Sequence, residues 1–203
     1  KLLRSICESL DLQFVQGSAD MPTIAKKSKL SVETAARRAR HEFFATVARE
    51  NDASCVAVAH TLDDQAETVL FRLIRGTGIR GAGGMREWTS LKVSSRLLHI
   101  LRPLISVSRS ETINACKEVE IIPIEDQMNS NLEFARSRIR HTVLPELIRI
   151  NSSAVLALSR FANLSSEAHE ALRANAITTQ SGKERRFPDR VVWNKPYLWG
   201  TNP

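Results

Sequence analysis

The run His60-Thr61-Leu62-Asp63-Asp64-Gln65-Ala66-Glu67-Thr68, followed by Arg75-Gly76-Thr77-Gly78, concentrates the side chains of this sequence that do chemistry. On a helix, Asp64, Glu67, Thr68, Phe71 and Arg75 fall on one side. Two carboxylates and a hydroxyl then project together near the helix start. Such oxygens suit Mg²⁺, for which Asp63 and Asp64 are the candidates. They also suit a substrate ammonium group, and a carboxylate can take the proton of an attacking amine. His60 can orient a carboxylate or touch substrate. Ordinary structural roles compete with these. Acids are favoured in the first turn of any helix, and Thr61-x-x-Asp64 matches a capping box.

Positioning this motif requires a strand before it and a helix through it. Ala53–Ala59 is a continuous run of small and apolar residues, which suits a strand buried on both faces of a parallel sheet. His60 then stands at a carboxyl end, where α/β sheets place their sites. The helix runs from Asp63 to Arg75, with Val69, Leu70, Leu73 and Ile74 turned inward. Gly76–Gly84 holds five of the chain's eight glycines. Such a loop can bring backbone amides to phosphate or ribose, although a plain turn uses the same residues. No G-x-x-x-x-G-K-[ST] occurs, so this is not a Walker A loop.

Elsewhere, Leu2, Leu3, Ile6 and Leu10 keep helical spacing. Leu12–Gln16 reads as a short strand and Asp20–Leu30 as a loop. Ser31 caps a helix running to about Asn51, with Ala36, Phe43 and Val47 on its apolar face. Leu97–Leu101 reads as a strand and Arg109–Val119 as a helix. Gln127–Asn131 is a polar loop, and Asn131 caps a helix that passes Ile139 and Val143 and bends or restarts near Pro145. A last helix spans Asn151 to about Ala176, with Val155, Leu158, Phe161 and Leu164 apolar. Strands alternating with helices predict an α/β domain with a mainly parallel sheet. Residues 1–125 form the α/β domain on this reading, 126–177 a helical extension and 178–203 a linker or arm.

The chain of 203 residues carries a net charge of +7. That excess points to a polyanion, nucleic acid first. Seven basic residues lie between Phe71 and Arg102 against the single acid Glu87, and Arg136, Arg138 and Arg140 form a second cluster. Arg37 and Arg40 share a helix face on which guanidinium forks can grip phosphate; a Glu33–Arg37 ion pair is the plainer use of that face. Aromatic residues make up only 5% of the chain, which argues against base stacking as the main binding mode. Cys7, Cys55 and Cys116 are scattered, with no CxxC for zinc or an iron–sulfur cluster. Free thiols imply a reducing compartment, so a cytoplasmic location is expected. No apolar run reaches membrane-spanning length.

Three segments together resemble the tRNA(Ile)-lysidine synthetases, within the PP-loop ATP pyrophosphatase group. They are Ser31–Phe44, Ala59–Thr68 extended through Arg75-Gly76-Thr77-Gly78 to Met85, and Asn131–His141 with Leu144-Pro145. The likeness covers about Lys1 to Ala176. The middle motif alone is shared with tRNA-thiolating relatives. The resemblance implies a Rossmann-like parallel-sheet domain that uses ATP and Mg²⁺ to join free L-lysine to the wobble cytidine of an isoleucine tRNA with a CAU anticodon. Asp64 and Glu67 would hold or deprotonate the lysine amine, supported by His60, Asp63 and Thr68. Arg37, Arg40, Arg75 and Gly76 would border ATP, and Arg138 or Arg140 would stabilise the phosphate or the cytidine. The group's S-G-G-x-D-S loop does not occur in this sequence, so the domain is expected to be N-terminally incomplete, with open sheet edges that favour a homodimer. Thr61 stands where a second His is common, and His41 where Tyr is common. A thiolating enzyme and a non-catalytic RNA-binding remnant are the competing readings.

Overall fold

The computed structural model describes residues 2–123, 134–180, 184–186 and 191–193. The chain divides into two compact units, one of Lys1–His60 with Arg86–Leu104 and one of Thr61–Met85 with Ile105–Pro203. The expected cap at Asn131 and the loop before it lie outside the described residues.

In the first unit, α1 (Leu2–Ser9), α2 (Met21–Ser28) and α3 (Val32–Glu50) precede β1 (Val56–Ala57), β2 (Trp88–Val93) and β3 (Arg96–Leu101). Ser31 caps α3 as its sequence predicts, accepting the Thr34 N–H at 3.2 Å. The strands order as β1-β3-β2. Val56 pairs Ile100 in parallel, whereas β2 pairs β3 antiparallel from Trp88↔Leu101 to Val93↔Arg96. Leu98 and Ile100 are buried, and α3 lies against β2 and β3.

The sheet is therefore mixed rather than mainly parallel. β2 escapes a reading by apolar runs because its burial alternates residue by residue. Ser94 takes φ 54° in the turn that joins it to β3. Two further expectations do not hold. Ala53–Ala59 contributes a ladder of only two residues, half-buried and exposed in turn. Leu12–Gln16 joins no ladder among the described residues; its Phe14 ring instead lies 5.1 Å from the Arg4 guanidinium.

Asp20–Leu30, expected to be a loop, contains α2. Asp20 caps it by accepting from the Thr23 N–H at 3.2 Å and the Thr23 hydroxyl at 2.6 Å, with Pro22 in the first turn. Lys29 closes it in the left-handed region at φ 53°. These are ordinary start and stop signals, which three lysines and a proline disguised as a polar loop.

The second unit holds α4 (Leu62–Ile74), α5 (Ile79–Ala82), α6 (Arg109–Glu118) and α7 (Ala135–Arg138). A π turn (Ile139–Val143), α8 (Leu144–Ile150), α9 (Ala154–Gln180), β4 (Glu184–Arg186) and β5 (Val191–Trp193) follow. β4 and β5 pair as a hairpin in the segment expected to be a linker or arm. α9 lies against α4 and α5. Its buried positions are Ala154, Ala162 and Ser165, whereas Phe161 and Leu164 are exposed. Small residues let helix axes approach closely, and that approach selects a face the apolar pattern alone does not. Val69 of α4 is fully buried, but Leu73 and Ile74, also expected inside, are exposed in its last turn.

The glycine loop is tied to α4 by side chains. Gln65, 2% exposed, donates from Nε2 to the Met85 carbonyl at 2.9 Å and accepts the Met85 N–H on Oε1 at 2.7 Å. Arg72 donates from Nη1 to the carbonyls of Gly81 and Gly84 at 2.8 and 2.6 Å. Gly84 takes φ +63°, and a Cβ there would meet Gln65 Oε1 at 2.7 Å. Gly84→Ala should therefore destabilise the protein by about 2 kcal/mol, from strain and crowding together. Urea unfolding checks this, with a lower midpoint and an unchanged slope as the expected result.

Candidate functional site

Local sequence builds the start of α4. Thr61 and Asp64 form a reciprocal capping box: Thr61 Oγ1 accepts the Asp64 N–H at 3.4 Å, and Asp64 Oδ2 accepts the Thr61 N–H at 2.9 Å. The structural role foreseen for these two residues is thus real, yet it uses only one Asp64 oxygen. Asp64 Oδ1 accepts from Arg140 Nη2 at 3.0 Å. Glu67, one turn on, takes Arg140 as a two-pronged fork, Nε to Oε1 at 2.6 Å and Nη2 to Oε2 at 2.9 Å. Side-chain exposure is 21% for Arg140 and Asp64 and 6% for Glu67. Hydrogen bonds to Glu67 hold the Arg140 guanidinium more firmly protonated than usual. Burial opposes that, and the charges of Glu67, Asp64 and Asp63 add to it.

The motif therefore brings Asp64 and Glu67 together as its spacing predicts, and it adds Arg140 from 73 residues further along. Spacing along α4 gave no sign of that partner. Arg140 sits in the π turn, whose closure, Leu144 N–H to Ile139 C=O, rotates the helix by one residue. Such turns frequently mark functional positions.

Asp63 points elsewhere. Its Oδ2 accepts the Arg109 N–H at 2.7 Å, fastening the start of α6. With Asp63 so used and both Asp64 oxygens already accepting, the pair does not fit a resident Mg²⁺. Among the described residues no group of three His, Cys, Asp or Glu could hold a metal ion. Thr68 is buried. Its hydroxyl sits in the wall of α4 rather than on an open surface.

A cleft of about 450 Å³ opens between the later turns of α4 and the α7–π-turn segment, lined by Phe71, Ile74, Arg75, Ala135, Arg138, Ile139 and Val143. The Arg75 and Arg136 guanidiniums lie 5.1 and 5.6 Å from the Phe71 ring centre. Arg138 is exposed on the wall. The cleft is apolar at its sides and cationic at its rim. Gly76 follows at φ +72°, and space above it is open, as it is above Gly78. A ligand's approach to the backbone there is unobstructed, in contrast to the packed Gly84.

In the first unit, His60 accepts on Nδ1 from Arg102 Nε at 3.2 Å. An arginine only donates, so the His60 proton resides on Nε2. Arg102 also donates from Nη1 to the Arg86 carbonyl at 2.7 Å and to Thr89 Oγ1 at 2.9 Å, and it is 5% exposed. Arg72 and Arg102 are thus internal braces, and the expected basic face loses both. A buried guanidinium needs acceptors, and these two found backbone carbonyls. What remains exposed includes Lys92 and Arg96 near the β2–β3 turn; towards the other end of that ladder Trp88 stacks on His99 at 5.3 Å between ring centres. Arg37 and Arg40 are exposed on α3. His41 beside them has its pKa lowered, by burial first and then by Arg37, Arg40 and Arg102.

Residues 1–147 match the family model for the PP-loop domain. The chain belongs to the PP-loop family. Its relatives include tRNA(Ile)-lysidine synthases. That of Clostridium acetobutylicum is 35% identical over 80% of this chain and 34% of its own length. That of Salinispora tropica is 41% identical over 77% of this chain and 46% of its own, and that of Porphyromonas gingivalis 31% over 98% and 45%. The chain thus spans between about a third and a half of these curated relatives. A U34-tRNA thiolase, NcsA from Methanococcus maripaludis, shares the fold, with a TM-score of 0.61 at 15% identity over 81% of this chain and 56% of that one. Among the described residues no helix is long and apolar enough to cross a membrane.

Two outcomes follow from the ionic pattern. Arg140→Leu leaves the Glu67 carboxylate buried without its partner and should cost about 3 kcal/mol, with Glu67→Gln in the same chain restoring part of it; chemical denaturation of the single and double variants checks this. The second concerns His41. Its folded pKa lies below the unfolded value of about 6.5, so the unfolded state binds its proton first. Its contribution to stability is complete above that value and is lost as pH falls below it. Between pH 7 and 5 the melting temperature should therefore drop less in His41→Gln than in the unaltered chain.

Proposed function

We propose that this chain carries the catalytic centre of a tRNA(Ile)-lysidine synthase, acting in the cytoplasm on an isoleucine tRNA with a CAU anticodon, ATP and free L-lysine. The cytidine 2-carbonyl oxygen attacks the α-phosphorus of ATP and releases pyrophosphate. The lysine ε-amine then attacks C2, AMP leaves with the oxygen, and the amine proton passes to a carboxylate. The observation that carries this reading is the Asp64–Glu67 pair. It is partly buried, anchored by its own capping box and already arranged around a cation. Lysine attack needs an amine that a carboxylate first holds and then deprotonates. The other demand is positive charge where phosphate charge develops. Arg75 and Arg138 on the cleft supply it, and the family resemblance adds Arg37 and Arg40 as ATP contacts. His60, with its ring fixed by Arg102, supports the substrate side. Mg²⁺ accompanies the nucleotide phosphates rather than an Asp63–Asp64 seat. Among the described residues β1 and β2 are the outer strands of the β1-β3-β2 sheet, and such edges favour pairing between copies, so a homodimer belongs to the proposal.

The test is transfer of isotopically labelled lysine to a tRNA(Ile) transcript in the presence of Mg-ATP. Labelled tRNA is expected from the unaltered protein, with a loss of about 100-fold or more in Glu67→Gln. Calorimetric titration with Mg-ATP accompanies it, and Arg40→Ala should weaken that binding. Undiminished transfer by Glu67→Gln would remove the carboxylate pair from the chemistry.

A further inference from the structure

Arg140 occupies the place that the proposed function reserves for the lysine ammonium. Both Glu67 oxygens accept from it, as does Asp64 Oδ1, while Asp64 Oδ2 accepts from Thr61. Each oxygen of the pair thus already accepts a hydrogen bond, out of the two that a carboxylate oxygen can take. An ammonium entering the seat has to compete with the guanidinium for the same two carboxylates. Two cations in one partly buried seat would repel, and lysine enters with three donors but without the planar fork that matches Glu67.

We propose that Arg140 is a specificity-determining gate: it holds the Asp64–Glu67 seat against free amines until an anion in the cleft lined by the adjacent Ile139 draws it away. This rests on the reading of that seat as the lysine site. Three observations support it. The fork is charge-assisted on all three contacts, so a passing amine gains little by competing. Arg140 follows Ile139, which lines the cleft whose rim carries Arg75 and Arg138. An anionic phosphoryl group lodged there offers the guanidinium a second acceptor. Finally, Arg140 stands on a π turn, a backbone register that differs from the α-helix by one residue and is frequent at functional sites. The consequence is order. The anion-bearing intermediate forms first, the guanidinium moves to it, and only then does the amine find free carboxylates. Premature lysine binding is suppressed, and arriving phosphate charge and amine affinity are coupled reciprocally.

Titration of L-lysine into the full chain at low salt, followed by calorimetry, tests the gate. Arg140→Gln should bind lysine about tenfold or more tightly than the unaltered protein, a coupling of ordinary allosteric size. Nε-acetyl-lysine, which lacks the cation, should bind neither. AMP or pyrophosphate added to the unaltered protein should raise its lysine affinity in the same direction. Equal lysine affinity in the unaltered protein and Arg140→Gln, lost in Glu67→Gln, overturns the gate and leaves the seat intact. Lysine binding by Arg140→Gln that survives Glu67→Gln overturns the seat itself, and the gate with it.

Should Arg140→Gln fail to fold, the unaltered chain still decides. The Arg140 Nε–H resonance, protected while forked to Glu67, should lose its protection when AMP and lysine are both present. A resonance that stays protected while lysine is bound at saturation overturns the gate.

Discussion

The three contacts from Arg140 to Glu67 and Asp64 govern the second unit. They join a turn late in the chain to the helix that carries the acidic motif, and they place one positive charge between two carboxylates that would otherwise repel each other across one helical turn. Glu67 is nearly buried. A charge in that position is tolerable only when paired and fully hydrogen-bonded. The bidentate fork of an arginine meets that demand; the single ammonium of a lysine meets it less fully. The pair holds the site together and is the seat that the proposed function assigns to a substrate cation. Stability and function therefore draw on the same atoms.

Within each unit, other charged side chains divide into braces and rim. Arg72 and Arg102 are turned onto backbone carbonyls, one under the glycine loop and one behind His60. Arg75 and Arg138 remain on the cleft. Gln65 does for the loop what a strand neighbour would do, offering its amide as donor and acceptor to Met85. The glycines divide the same way. Gly84 is needed because Gln65 lies against it, whereas Gly76 ends α4 beneath open space. A basic patch read from composition thus resolves into a smaller cationic rim and an internal framework.

The PP-loop family membership and the placement of Asp64 and Glu67 on one helix face are legible in the sequence. The signals are local: a capping residue, spacing by three, a glycine loop after the last turn. Ser31 and Ser108 cap their helices, the latter in a box with Glu111. Other elements escape a sequence reading for physical reasons. α2 begins with Asp20 and Pro22 but looks polar, since its helix is amphipathic over only eight residues. β2 alternates without a continuous apolar run. Phe161 and Leu164 face outward because α9 meets its neighbours through alanine and serine.

What the sequence by itself determined is what depends on neighbours three or four residues apart: helix starts and stops, the carboxylate pair, the Arg75-Gly76 ending and membership of a nucleotide-using family. The tertiary structure alone decided which arginine answers those carboxylates, which arginines become braces, which nitrogen of His60 accepts, and that Asp63 secures α6. Each of these turns on groups brought together from tens of residues apart. Periodicity fixes the face on which a charge stands; only packing fixes the charge that it meets.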